Sequence, residues 1–438
     1  MARNSKYIKC LPLKQTVNDL KSGKLPLLEF IEEICNRIDQ VEPHIHSLLP
    51  EVNRRERLRK EANELLAKFP NPTNRPPLFG IPVGVKDLFN VDGFETKAGS
   101  ALPSSLFKGN EASIVSQLKK NGALILGKTV STEFAYFEPG PTCNPHNIKH
   151  TPGGSSSGSA AAVASGLTPL ALGTQTIGSI TRPAAFCGIY GFKPTSGRIY
   201  TDGVVPFSPT ADHIGFFTQD FDGIELACSV LVPNWKPNGM QLTSKSVIGV
   251  ATGSYLQQAN SEILSKYNEV IQLLKQNGFK VIEVDVFGDI EKVNASHKRI
   301  VAYDFAKVHE KWFKQYESLY RLNTKKLVLE GQNISHETWL QACNERDVTK
   351  LYVERIQNEN EINIWLTPAT ISVATEGLSS TGSPLMNLPW TYIGVPTLSI
   401  PVGENELGLP IGIQVAGAFG KDEELIENCL VVNNLLKD

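Results

Sequence analysis

A chain of 438 residues, 41% of them hydrophobic and 20% charged, carries enough apolar side chain to bury a large core in the manner of an ordinary globular protein. Its formal net charge of −2 excludes the strongly basic surface that a polyanion needs, so no nucleic-acid partner is expected. No run approaches the ~18 consecutive apolar residues of a membrane span, and MARNSKYIKCLPLKQ has basic residues without an apolar stretch, so neither a membrane nor a secretory route is expected. Seven scattered cysteines without CxxC spacing suit reduced thiols in the cytoplasm and exclude a zinc ribbon; neither metal nor cofactor is expected.

In chain order, LLEFIEEICNRIDQV from Leu27 has helical apolar spacing, and RRERLRKEANELLAKF is a charged amphipathic helix, so residues 1–70 are expected to form a helical cover. LFGIPVGV reads as a strand, ASIVSQLKKNG as a helix ending on Gly122, and ALILGK as the next strand. The alternation continues through SAAAVASG, PLALGT and CGIYGFKP, then SVIGVAT, ILSKYNEVIQLLKQNG and KVIEVDV. Such alternation predicts an α/β sheet covered on both faces. Residues 289–361 read as a helical insertion capping that sheet, and no internal repeat or low-complexity linker forces a second domain over 1–438.

Chemistry concentrates in three places. GIPVGVKD sets Lys86 at the end of an apolar run, where burial would lower an amine's pKa and make it a base. GGSSSGS carries Ser155, Ser156 and Ser157 on glycine-rich backbone ahead of a small-residue helix, and GTQTIGS ends on Ser179, 24 positions after Ser155. Alone, each piece has a plain structural reading. A lysine at a strand end is usually solvated, and serines before a helix often cap its first turn. The GxSxG match around Ser156 would make an α/β-hydrolase elbow, but the preceding EPGPTCNPHNIKHTP is a turn-rich loop where a strand is needed. Without G-K-[ST], a phosphate cradle is unsupported. Of the histidines only His213, in TADHIG, lies near the expected cleft, and a structural role is expected for it.

Taken in this order, the three segments resemble the amidase signature family, as does GLPIGIQ from Gly408 to Gln414; the resemblance runs from about Thr16 to Gln414. It implies a large mixed β-sheet flanked by helices in one domain, and a Ser-Ser-Lys triad. In that triad Lys86 is the base, Ser155 the bridging serine and Ser179 the nucleophile. It further implies an oxyanion hole of the backbone N–H groups of Thr176, Ile177, Gly178 and Ser179. A cis peptide is expected at the bridging serine, between Ser155 and Ser156. The family's layout makes the 289–361 region the shaper of the substrate channel, and Phe134, Tyr136 and Phe137 its aromatic wall. Gln175 and Ile177 stand where the family's turn usually has aspartate and glycine. Arg182 stands three residues after Ser179, where an arginine is usual at two. The implied activity is hydrolysis of a small-molecule carboxamide to carboxylate and ammonia through an acyl-enzyme. Two alternatives stay open: the glutaminase subunit of a tRNA-dependent amidotransferase, which needs partner subunits, and a urea-derivative hydrolase resembling allophanate hydrolases. A homodimer is also left open.

Overall fold

The computed structural model describes residues 5–239, 241–243 and 245–437. Among the described residues ten strands form one mixed sheet: β1 Pro82–Lys86, β2 Leu124–Thr129, β3 Leu170–Gln175, β4 Tyr190–Lys193, β5 His213–Thr218, β6 Val247–Ala251, β7 Lys280–Val284, β8 Ile362–Pro368, β9 Thr397–Glu404 and β10 Pro410–Ala416. Their order across the sheet is β2-β1-β3-β5-β4-β9-β10-β8-β6-β7. The two ends are parallel, β2-β1-β3 and β8-β6-β7, and the pairs between them are antiparallel. Every residue of β1, β2, β3, β4 and β5 is buried. Because successive side chains point to opposite faces, helices must cover both faces there.

Ahead of β1 lie three α-helices, Leu13–Ser22, Leu27–Ile45 and Arg54–Lys68. Leu27–Ile45 buries Leu27, Phe30, Ile31, Ile34, Ile38 and Val41, a stripe at helical spacing. Arg54–Lys68 buries only Leu58 and Ala62, and instead uses Arg57 to donate to the Ile125 and Leu126 carbonyls of edge strand β2. That contact satisfies backbone acceptors that an open sheet edge would expose. Between residues 289 and 361 lie the helices Ile290–Tyr316, Leu322–Gln332 and His336–Glu359. Two of these helices start where a side chain accepts a first-turn N–H: Asp289 from Lys292 at 3.1 Å, and Ser335 from Thr338 at 3.1 Å.

Parallel pairing sets Val83 of β1 opposite Leu170 of β3 and Val85 opposite Leu172, so Lys86 and Thr174 arrive together at the carboxyl ends of neighbouring strands. The helix Ser157–Ala164, SGSAAAVA, is buried at all eight residues; its small side chains let it lie close against β1, β2 and β3. Gly158 makes this approach feasible. A Cβ there would fall 2.2 Å from the Ser47 carbonyl oxygen and 2.3 Å from the Val130 nitrogen.

Candidate active site

Lys86 is fully buried, and its Nζ lies 2.7 Å from Ser155 Oγ and 2.8 Å from Thr174 Oγ1. No carboxylate forms an ion pair with it among the described residues. The adjacent acid, Asp87, is committed to Lys128 at 2.9 Å, with both side chains buried. Burial holds the Lys86 amine well below its usual value, and the charge of Asp212 opposes that shift. Asp212 is itself pushed up to about 6 by burial, against hydrogen bonds from the Thr176 hydroxyl and the Phe207 and Ser208 amides. Desolvation therefore drives both groups toward their neutral forms.

Ser155 is 2% exposed and its carbonyl accepts from the Thr132 amide. The cis peptide of this loop is Gly154–Ser155, one bond earlier than the Ser155–Ser156 position expected. Ser156 is fully buried, and its hydroxyl meets the Thr174 backbone, donating to the carbonyl at 3.2 Å. No strand precedes it and no side chain caps the helix that follows, so neither the hydrolase elbow nor simple helix capping describes this loop.

Ser179 follows β3 on the turn Thr176–Ile180, which leads into the helix Thr181–Cys187. Ser179 is 7% exposed, and its hydroxyl meets no hydrogen-bond partner among the described residues. The turn is held from its carbonyl side. His213 Nδ1 meets the Gln175 carbonyl at 3.2 Å, and Thr391 Oγ1 donates to the Ile177 carbonyl at 2.7 Å. In a trans peptide the N–H points opposite to the C=O, so the amides of Thr176 and Gly178 face away from these contacts. None of the amides of Thr176, Ile177, Gly178 and Ser179 meets an acceptor among the described residues. Four such donors in sequence can receive an anionic oxygen.

Gln175, the departure noted in the sequence, is what closes this turn. Its Oε1 accepts from the Ile180 and Thr181 amides at 2.7 and 3.0 Å, and its Nε2 donates to Thr391 Oγ1 at 2.9 Å. Arg182 is buried and its guanidinium bridges the Ser155 loop to the loop at Thr381 and Gly382, donating to the Gly154 carbonyl at 2.6 Å, the Gly382 carbonyl at 3.0 Å and Thr381 Oγ1 at 3.2 Å. With no carboxylate beside it, burial pushes Arg182 down to about 9. Asn387 closes the other side: its Nδ2 donates to the Ala369 carbonyl and to Gln414 Oε1, while Oδ1 has no partner among the described residues and lies 2.5 Å from where a Gly178 Cβ would stand.

The aromatic candidates separate. Phe134, 1% exposed, packs among Phe107, Phe305, His309, Trp312 and Tyr320. Tyr136 is half-buried, stacked on Phe207 at 5.7 Å and tilted against Phe137 at 4.7 Å. Thr174, Asp212, Thr391 and Asn387 escape the sequence reading. Thr174 and Asp212 each adjoin a residue that it singles out, Gln175 and His213; Thr391 and Asn387 lie more than 200 residues away from Ser179 and carry no local signal.

The amidase family profile matches residues 29–426 of the chain. A subunit of the glutamyl-tRNA(Gln) amidotransferase from Prochlorococcus marinus (strain NATL2A) is 27% identical over 93% of this chain and 94% of its own. The corresponding protein from Wolinella succinogenes is 30% identical over 79% of this chain and 87% of its own. A solved structure described as an amidase superimposes with a TM-score of 0.87 at 29% identity, covering 98% of this chain and 99% of that one. The chain belongs to the amidase family. It is a hydrolase acting on amide C–N bonds.

Proposed function

We propose that this enzyme hydrolyses a small-molecule carboxamide to carboxylate and ammonia, with Ser179 as nucleophile, Ser155 as proton relay and Lys86 as base. The observation that carries the reading is the buried Lys86 amine, bonded to the Ser155 hydroxyl and ion-paired to nothing among the described residues. A neutral amine takes the Ser155 proton while Ser155 takes that of Ser179. Ser179 Oγ bonds the carbonyl carbon, whose oxygen gains the electron pair and settles on the Thr176, Ile177, Gly178 and Ser179 amides. Collapse breaks the C–N bond as Ser155 returns a proton to nitrogen and recovers one from Lys86. Water then attacks the acyl-enzyme, its proton leaving by the same relay, and Ser179 departs as the hydroxyl.

In this reading Tyr136 borders the substrate and Phe134 supports it from behind, while the 289–361 helices wall the channel. No metal or cofactor enters any step. The enzyme works without other polypeptides, as one chain or a homodimer, in a reducing cytoplasmic setting that suits seven unpaired cysteines. Ammonia release by the purified chain from a panel of aliphatic, aromatic and ureido amides tests the proposal. Release from simple carboxamides supports it. Hydrolysis of glutamine alone, and only once partner subunits have been supplied, would replace it with the glutaminase-subunit reading.

A further inference from the structure

The helix His336–Glu359 buries one side, with Ala342, Cys343, Val353 and Gln357 turned inward. Its other side holds apolar residues in water: Val348 and Leu351 are 67% and 65% exposed, and Leu340 and Tyr352 are exposed beside them. At spacings of three and four, Leu340, Asn344, Val348, Leu351, Arg355 and Asn358 share one helical face, every one of them exposed. Single exposed leucines are ordinary, but a row of apolar residues along one face marks a contact surface. Asn344, Val348 and Tyr352 also line a groove of about 490 Å³ together with Val286, Phe287 and Val293. The face is thus an apolar ridge beside an apolar groove.

The polar residues of this ridge are arranged about Leu351. Asp347 stands four positions before it and Arg355 four after; Asn344 stands seven before and Asn358 seven after. Laid antiparallel across a two-fold axis at Leu351, a second copy of the helix sets each Asp347 opposite the other's Arg355, each Asn344 opposite Asn358, and Leu351 against itself. Within one chain these charges are weakly engaged. Asp347 meets its neighbour Arg346 at 3.3 Å, while Arg355 meets Glu359 at 3.8 Å and lies over the Tyr352 ring at 5.4 Å. Surface pairs of this kind contribute little. With five acids to three bases, the helix lacks the basic face of one that lies on a membrane. A face that complements itself is what an isologous two-fold contact requires.

We propose that two copies of this chain pair antiparallel through the helices His336–Glu359, about a two-fold axis at Leu351. The contact does not depend on the catalytic reading, which leaves one chain or a homodimer open. A helix of 24 residues is about 36 Å long, so the interface falls at the small end of stable ones and a dissociation constant in roughly the micromolar range is expected.

Sedimentation velocity of the full chain from about 1 to 100 µM tests this, with each variant's fold checked by circular dichroism. The native chain should pass reversibly from monomer to dimer. Leu351→Glu, Asp347→Arg and Arg355→Asp should each weaken the dimer about tenfold or more, because all three positions are exposed in the monomer and doubled by the axis in the dimer. An equimolar mixture of the Asp347→Arg and Arg355→Asp chains should dimerise as well as the native chain, since each facing pair is then again of opposite sign. A native chain that stays monomeric throughout, a dimer indifferent to these substitutions, or a mixture that fails to recover overturns the proposal.

Discussion

At Lys86 an amine ends a strand whose five residues are all buried, and among the described residues its only polar neighbours at hydrogen-bonding distance are two hydroxyls. Because the folded value lies below the ordinary 10.5, the neutral fraction grows as pH rises through that lowered value. Turnover should therefore climb with pH through an apparent pKa below that of free lysine, read from kcat/KM against pH. Lys86→Arg should lose at least ~100-fold at every pH, since a guanidinium stays charged and cannot accept the proton. Substantial activity in this variant, with an intact fold by circular dichroism, would remove Lys86 as the base. The lysine is legible in the sequence because it interrupts an apolar run; its partner Thr174 is not, because the contact depends on the register of β1 against β3. Arg182 is instructive in the same way. In the sequence it stands out only as displaced, whereas the fold uses it to tie Gly154, ahead of Ser155, to the loop at Thr381 and Gly382.

Among the elements, the helix Ser157–Ala164 sets the precision of the site, because it fixes the serine loop against β2 through the Gly158 amide and the Val130 carbonyl at 2.9 Å. Gly158→Ala should force that helix outward, costing about 1–3 kcal/mol or more by overpacking and lowering both the melting temperature and turnover. An alanine variant with native stability and rate would show that the close approach is dispensable. Strands β1, β2, β3, β6 and β7 are readable as apolar runs between turns. Strand β5 is not: HIGFFT lies in a segment that draws notice only for its histidine. Nor do β8, β9 and β10 read as strands. Their buried stretches show no alternation, and their order in the sheet depends on long-range pairings, antiparallel between β9, β10 and β8 and parallel between β8 and β6, that no local pattern encodes. The helices at 289–361 are visible because each is long and their span carries few breakers.

For the whole molecule, the buried amine makes stability depend on pH. The unfolded chain binds more protons than the folded one between the lowered folded value of Lys86 and about 10.5, so stability rises with pH across that window. Lys86→Met should flatten this rise, seen as a shallower slope of denaturant midpoint against pH, while abolishing turnover. An unchanged slope would mean that the amine is not held neutral. The proposed mechanism stands or falls on acylation of Ser179, which peptide mapping by mass spectrometry after reaction with a serine-directed fluorophosphonate reads out residue by residue. One adduct is expected, on Ser179, absent in Ser179→Ala and strongly reduced in Lys86→Arg; an adduct on Ser155 or Ser156 with Ser179 unmodified would refute the assignment.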